Sequence, residues 1–220
     1  MSARRSNFNA VSVSYGSVGA SLAPDLLRYP PAGFWVGENS ARLGTGRARF
    51  ESARDQMWQW AIHLNSGLEI TDVVPGSEGG YRGLNQRDDR DDIDPNEVLF
   101  TAQGYAYVNP GATISQRYQV WRWTFELPAR VVLVIDEDDR AGYALGSLPG
   151  HPFDGEQAFL LEIRDDESVW MTVRQLGKPA DSRLRALAPL FRWQQYQLTK
   201  KFLKSLHPTA AAEAAVSLDG

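Results

Sequence analysis

Apolar side chains recur at helical spacing in two stretches of this chain. The first stretch predicts a helix that ends near Gly67, a natural helix stop. The second predicts a long C-terminal helix over residues 181–206, with a kink at Pro189. The apolar positions of the first helix are Phe50, Ala53, Met57, Trp60 and Leu64. Those of the second are Leu184, Leu187, Phe191, Leu198, Phe202 and Leu206.

Between the two helices the period of the pattern changes to two, which predicts β-strands. The clearest alternation sets Val169, Met171, Val173 and Gln175 against Trp170, Thr172 and Arg174. The predicted strands cover residues 34–43, 68–74, 98–108, 114–125, 130–136, 141–148, 156–164 and 168–176. This order predicts an α+β fold in which a curved antiparallel sheet grips one long C-terminal helix. The volume between them is either packed core or a ligand cavity.

Composition indicates one ordinary globular domain. The chain has 220 residues, of which 43% are hydrophobic and 23% charged. We expect a single domain over residues 11–207, with a disordered N-terminus (1–10) and a disordered tail (208–220). An acidic insert at 81–97 is typical of a solvated loop. A calcium loop is the alternative for this insert, but the central glycine and final glutamate of that pattern are missing.

Charge and residue usage exclude several classes of function. The net charge of −4 argues against a nucleic-acid partner. The absence of cysteine excludes disulfides and thiolate sites, and neither His63 nor His207 has a partner at metal-ligand spacing. Gly142 and Gly146 do not form a dinucleotide-binding loop. From these two observations we predict no metal and no cofactor. Because no apolar run follows Arg4, we expect no signal peptide and a cytoplasmic location.

The most distinctive stretch covers residues 142–159 and contains Leu148-Pro149-Gly150-His151-Pro152 followed by Gly155-Glu156 and an aromatic residue. With these motifs the chain resembles the bacterial DUF1990 family of unknown function. The chain departs from the family pattern at Leu145, where an aromatic residue is commoner. Further matches lie at Tyr15, Val18-Gly19-Ala20-Ser21, Pro31-Ala32-Gly33-Phe34, Leu43-Gly44 and Val169-Trp170.

The resemblance implies a START-like, pollen-allergen-like helix-grip fold, and proteins of that architecture commonly hold apolar small molecules. It implies no catalytic residues, because none is assigned in the family. A plant relative described as an organelle envelope pore makes a pore-like role a distant alternative.

His151 is the strongest catalytic candidate in the sequence. It stands in a loop rich in glycine and proline, with Asp154 and Glu156 close by as possible carboxylate partners for proton transfer. The alternative is structural: the imidazole caps backbone groups in a rigid turn. Both interpretations remain open from the sequence.

Aromatic residues on the predicted strands supply candidate ligand-binding positions. Arg174 alternates with these aromatic residues and could meet a carboxylate on the ligand, unless it faces solvent. The same aromatics could instead be packed core. The candidate ligand-binding residues are Trp121, Trp123, Tyr143, His151, Trp170 and Arg174.

These observations favour a non-enzymatic domain that binds an apolar small molecule between the sheet and the C-terminal helix. An enzyme that uses His151 with Asp154 or Glu156 is the first alternative. A membrane-associated role for the basic C-terminal helix is the second. Contact with a membrane surface is not favoured, because the apolar stripe of that helix is needed to close the sheet. The sequence leaves the oligomeric state open.

Overall fold

The computed structural model describes residues 12–76, 99–120, 122–181 and 188–208. The predictions for the N-terminus before residue 12, for the acidic insert and for the tail after residue 208 lie outside the described residues. So do Leu184 and Leu187 of the predicted C-terminal stripe.

The described strands form one antiparallel sheet of eight strands in the order β1-β8-β7-β6-β5-β3-β2, with β4 paired to β3. Register shifts within the β1–β8, β2–β3 and β5–β6 pairs mark bulges, which bend and twist the strands. The strands are β1 (Trp35–Thr45), β2 (Leu68–Val74), β3 (Thr113–Val120), β4 (Trp123–Glu126), β5 (Ala129–Asp136), β6 (Arg140–Ser147), β7 (Phe153–Ile163) and β8 (Ser168–Pro179).

Two of the predicted strands were wrong in their extent. Residues 98–108 do not form a sheet strand where they are described: Gly104, in a left-handed conformation, turns the segment back on itself, and it makes only one isolated bridge, between Phe100 and Ala106. Residues 114–125 divide into β3 and β4, which pair with each other as a hairpin. In both places the apolar pattern is continuous in the sequence, but the chain makes a local turn within it.

The first predicted helix is divided into α1 (Arg47–Trp58) and α2 (Ala61–Leu64). Trp60 separates them with a φ of 64°, a left-handed conformation that is uncommon outside glycine. This conformation is accompanied by full burial of the indole, whose Nε1 donates to the Ala106 carbonyl at 2.7 Å. His63 of α2, beyond this break, is buried in the interior.

The C-terminal helix α3 (Ala188–Ser205) packs against β1 and β8. Leu198, Phe202 and Leu206 are buried as the stripe predicts, and the Phe202 ring meets Phe159 of β7 edge-on with centroids 5.1 Å apart. Pro189 is the second residue of α3, and residues 182–187 before it lie outside the described residues, so the kink at Pro189 stays a prediction. The predicted helix-grip arrangement of sheet and helix is confirmed.

The opposite, convex face of the sheet is covered by the N-terminal segment, residues 12–22. Small side chains of the sheet, Val132, Ala144 and Ala158, form a second apolar cluster there with Val13 and Leu22. The two faces therefore have separate apolar contacts, and only the concave face carries the large core.

Candidate ligand cavity

A cavity of about 1020 Å³ lies between the concave face of the sheet and α3. Leu145 of β6 and Leu198 and Phe202 of α3 are among its apolar lining residues. Two glycines, Gly155 and Gly177, are also among the lining residues. The concave face is therefore packed at one end and hollow at the other.

Large apolar side chains surround the cavity where it meets the surface. Trp123 of β4 is 62% exposed, and Leu190 and Trp193 at the start of α3 are each 56% exposed. Exposed apolar side chains that cluster around one opening often mark an interaction site. We call these three residues the rim.

Neutral polar side chains form one wall of the cavity. The Gln175 side-chain oxygen accepts hydrogen bonds from Gln195 Nε2 at 2.9 Å and Gln157 Nε2 at 3.3 Å. The Thr199 hydroxyl, which donates to the Gln195 carbonyl at 2.8 Å, lies 3.4 Å from the same oxygen. These bonds join β7, β8 and α3 across the hollow part of the interior. We call these residues the glutamine wall.

The buried end of the cavity contains His63 and Gln116, which are 1% and 3% exposed. Nε2 of His63 lies 2.9 Å from the Tyr143 hydroxyl, and the rings of Trp60, Phe159 and Phe202 surround the imidazole. Within the described residues, Nδ1 of His63 and Oε1 of Gln116 have almost no accessible surface and make no hydrogen bond of good geometry, although the Gln116 side chain is close enough to raise the pKa of His63. We call these two residues the His63–Gln116 pair.

Burial determines the protonation of this end. Desolvation lowers the pKa of His63 to about 3, while the neighbouring Gln116 amide acts in the opposite direction. Desolvation also raises the pKa of Tyr143 well above its ordinary value. Both groups are therefore neutral at physiological pH.

His151 lines the cavity, but the structure does not join it to a carboxylate. Its Nδ1 lies 3.0 Å from the Phe153 amide nitrogen and 2.8 Å from the Phe153 carbonyl oxygen, so the imidazole caps the turn that leads into β7. Burial lowers the pKa of His151 to about 4, and the nearby Asp154 opposes this effect without a hydrogen bond to the ring. This is the geometry of the structural alternative.

Glu156 points to the convex face and binds the N-terminal segment. Its Oε2 accepts from the Tyr15 hydroxyl at 2.5 Å and from the Gly19 amide at 2.8 Å. Its Oε1 accepts from the amide of Ser21 at 3.0 Å and from the hydroxyl of the same residue. A Cβ at Gly146 would lie 2.6 Å from the Tyr15 hydroxyl, so this glycine leaves room for the contact. The carboxylate is thus used by the architecture, and His151, Asp154 and Glu156 do not form one hydrogen-bonded group.

The six predicted ligand-binding residues are distributed over both faces. Trp123 and His151 line the cavity, whereas Tyr143 is packed behind His63 in the core. Trp170 and Arg174 alternate with the core residues of β8, so they lie on the convex face, where Arg164 stacks on Trp170 and Arg174 pairs with Glu38 at 2.7 Å. Placing these last two at the cavity was therefore wrong in geometry. Trp121 lies outside the described residues.

Sequence reasoning missed the polar lining of the cavity. His63 was considered only as a metal ligand, and the glutamines were not considered. A signal was present, because Gln175 continues the apolar phase of Val169, Met171 and Val173, and Gln157 precedes Phe159 and Leu161 in the same way. A polar residue in an apolar phase predicts a buried polar group that needs a partner.

Two absences apply to the described part of the chain. Within it, no group of three or more His, Asp or Glu side chains is arranged to hold a metal ion. No helix there is both long and apolar enough to cross a membrane.

Comparison with known proteins finds relatives in sequence and in shape. A UPF0548 protein of Deinococcus radiodurans is 39% identical over 61 residues, which are 28% of this chain and 31% of that protein. The matched stretch thus spans less than a third of that relative.

Among solved structures, Ara h 8.0201 has a TM-score of 0.46 at 12% identity, covering 82% of this chain and 99% of that one. A hypothetical protein of Helicobacter pylori, jhp0584, has a TM-score of 0.47 at 12% identity, covering 84% and 93%. Ginseng major latex-like protein 151 from Panax ginseng has a TM-score of 0.43 at 10% identity, covering 80% and 100%.

The sequence model of one family, described as a domain of unknown function (DUF1990), matches residues 14–86 and 93–205. These ranges include Glu156, which binds the N-terminal segment, and also the glutamine wall and the His63–Gln116 pair. The chain belongs to the DUF1990 family.

Proposed function

We propose that this chain binds a neutral, apolar small molecule in the cavity between the sheet and α3. The observation that carries the proposal is the cavity of about 1020 Å³, with its apolar and uncharged polar lining. Ligand pockets in proteins have volumes of roughly 300–1,000 Å³ and are mainly apolar with a few polar groups. The cavity therefore has room for a molecule of drug or lipid size.

The charges around the cavity favour a neutral ligand. The lining residues in the described part of the chain include no Lys, Arg or Asp, and the one Glu among them, Glu156, has its carboxylate bound on the convex face. A charged ligand would lose its hydration without gaining an ion pair, which is strongly unfavourable in an apolar interior. We therefore do not propose that Arg174, which lies on the convex face, binds a carboxylate of the ligand.

The rim supports entry of an apolar molecule at the start of α3. Trp123, Leu190 and Trp193 present apolar surface to solvent at the point where the cavity opens. An apolar ligand that enters there would remove this surface from water, which is favourable by about 25 cal/mol per Å².

Titration with N-phenyl-1-naphthylamine, a neutral apolar fluorophore, tests the proposal. We expect the purified wild-type chain to bind the probe. The variant Ala129→Trp, in which a side chain fills the cavity, should bind it more weakly. Ala129 lines the cavity, so its new indole would occupy the ligand volume and weaken probe binding at least about tenfold, or 1.4 kcal/mol. Thr124→Trp is the matched control, because Thr124 is an exposed residue of β4 that does not line the cavity.

Circular dichroism of both variants would verify that they remain folded. Native mass spectrometry of the wild-type chain would show any molecule that co-purifies with it. Failure of the wild type to bind the probe, with no co-purified molecule, would refute the proposal. Equal binding by Ala129→Trp and the wild type would place the probe outside the cavity and would also refute it.

A further inference from the structure

We infer that the outer side of α3 docks on a lipid bilayer that contains anionic lipids, with the mouth of the cavity against the bilayer. We define the outer side by Trp193, Tyr196, Lys200 and Lys204. Two observations carry the inference: large apolar side chains are exposed at the rim, and α3 has basic residues but no acidic ones. The inference goes beyond the proposed function, because docking is measured without any ligand in the cavity.

The helix α3 carries apolar residues on two opposite sides. Leu198 and Phe202 are buried against the sheet, whereas Trp193 is 56% and Tyr196 47% exposed. Nine residues separate Trp193 from Phe202, which is two and a half helical turns, so these two side chains leave the helix in opposite directions. The sequence argued against membrane contact because one apolar stripe has to close the sheet. The second, exposed set removes that objection.

The outer side becomes basic towards the C-terminal end of α3. Lys200 and Lys204 follow Trp193 and Tyr196 at spacings of three or four residues, so the four side chains share one side of the helix. The ammonium nitrogen of Lys200 lies 4.3 Å from the centroid of the Tyr196 ring. The chain as a whole has a net charge of −4, so the positive charge of α3 is a local feature. The basic residues of α3 are Arg192, Lys200, Lys201 and Lys204.

Neighbouring carboxylates do not neutralise this side. Trp123 and Phe125 of β4 line the cavity, so Glu126 of the same strand points to the other face, where it pairs with Arg117 at 2.7 Å. In the part of the chain that the structure describes, Lys200 and Lys204 form no ion pair. Their charge is therefore available to an anionic surface.

The combination of aromatic and basic side chains fits an anionic bilayer better than a second copy of this chain. Tryptophan and tyrosine favour the interface between lipid and water, and lysines near an anionic leaflet are attracted to it. A symmetric contact between two copies through this side would bring lysines towards lysines. Because Leu190 and Trp193 also belong to the rim, docking would let an apolar molecule pass between bilayer and cavity without crossing water.

Flotation of the wild-type chain with vesicles tests the inference. One set of vesicles contains phosphatidylcholine alone, and the other contains an equimolar mixture of phosphatidylcholine and phosphatidylglycerol. We expect the chain to float with the mixed vesicles at low salt and to remain unbound with phosphatidylcholine alone. Added salt should reduce flotation, because it screens the attraction between exposed charges.

The double substitution Lys200→Gln with Lys204→Gln removes positive charge from the outer side. We expect at least about tenfold weaker binding to the mixed vesicles, since each lysine near an anionic surface contributes to the attraction. The matched control is Arg42→Gln with Arg164→Gln, two exposed arginines on the convex face, which changes the net charge equally. Its affinity for the vesicles should equal that of the wild type.

A second comparison tests the apolar contact. Trp193→Ala should weaken binding to the mixed vesicles about fivefold or more, because less apolar surface leaves water on docking. Tyr29→Ala is the matched control, at an aromatic residue that is 64% exposed and lies outside α3 and the cavity lining. Circular dichroism would verify that all four variants are folded.

The outcomes separate this inference from the proposed function. Flotation that depends on the lysines and on Trp193 would support docking even if the chain failed to bind N-phenyl-1-naphthylamine in the absence of vesicles. No flotation of the wild type, or equal flotation of the lysine variant and its arginine control, would overturn docking and leave the cavity proposal intact. Self-association of the wild type that is lost in Trp193→Ala, without flotation, would assign the outer side to a second copy and would also overturn docking.

Discussion

Buried polar groups on the two faces of the sheet differ in whether their hydrogen bonds are made. On the convex face the Glu156 carboxylate receives hydrogen bonds from Tyr15, Gly19 and Ser21, and small side chains of the sheet pack beneath the N-terminal segment. On the concave face Nδ1 of His63 and Oε1 of Gln116 have almost no accessible surface. A carboxylate with all its partners in place stabilises the fold, whereas the buried end of the cavity contains polar atoms that are enclosed by protein and lack a hydrogen bond of good geometry within the described residues.

This contrast separates architecture from recognition within one short motif. Residues 142–159 are the most distinctive of the sequence, yet Gly146 and Glu156 serve the attachment of the N-terminal segment. His63, Gln116 and Gln175 of the cavity lining come instead from α2, β3 and β8, where the sequence shows no comparable motif. The same motif also contributes Leu145, His151 and Gln157 to the cavity lining, so it serves both faces of the sheet.

The largest expected effect is on the convex face. Glu156→Leu would leave the Tyr15 and Ser21 hydroxyls and two backbone amides without their acceptor. We expect the free energy of unfolding to fall by about 3 kcal/mol or more, measured by urea unfolding.

The matched control is Asp154→Leu, at an acidic residue two positions away on the same strand, which should change stability by less than about 0.5 kcal/mol. Probe affinity in the folded fraction of Glu156→Leu should equal that of the wild type. Loss of probe binding in this fraction would show that the two faces are coupled.

A smaller effect is expected from acid at the buried end of the cavity. Because burial lowers the pKa of His63 to about 3 from an ordinary 6.5, the unfolded chain takes up this proton at a pH where the folded chain does not. The stability that neutral His63 contributes is complete above pH 6.5 and is lost as the pH falls towards 3. The slope for one such group approaches 1.4 kcal/mol per pH unit.

Comparison of the wild type with His63→Gln isolates this contribution. Urea unfolding at pH 7, 6 and 5 should give a stability difference between the two proteins that shrinks as the pH falls, because glutamine does not titrate. A difference that stays constant over this range would contradict the burial of a neutral imidazole at this position.

The smallest effect is expected from the two convex residues that the sequence suggested as ligand contacts. Arg174→Gln removes a partly exposed ion pair with Glu38, and such pairs contribute about 0–1 kcal/mol. Trp170→Phe retains an aromatic ring for Arg164 to stack upon. Probe affinity should be unchanged in both variants. A tenfold loss of affinity in either variant would show that the substituted residue contributes to ligand binding.

Much of the architecture was predictable, because it depends on patterns that are local in sequence. The apolar stripe with Phe50, Ala53 and Met57 and the alternation along β8 both identify faces that are buried in the structure. The break at Trp60 was not predictable, since the left-handed conformation is held by contacts of the indole with Ala106, 46 residues away. Of the candidate ligand-binding residues, Trp123 and His151 line the cavity, whereas Trp170 and Arg174 do not.

The amino-acid sequence alone determined the α+β class, the curved sheet with its C-terminal helix, and the family. These features follow from periodicity and from motifs, which are local in the sequence. Only the tertiary structure decided which face each polar residue occupies and whether its partners are present. His63, Gln116 and Gln175 line one cavity although they come from α2, β3 and β8, and no local sequence pattern predicts this. Satisfaction of a buried polar group depends on atoms distant in sequence, and for that reason the candidate chemistry became visible only in three dimensions.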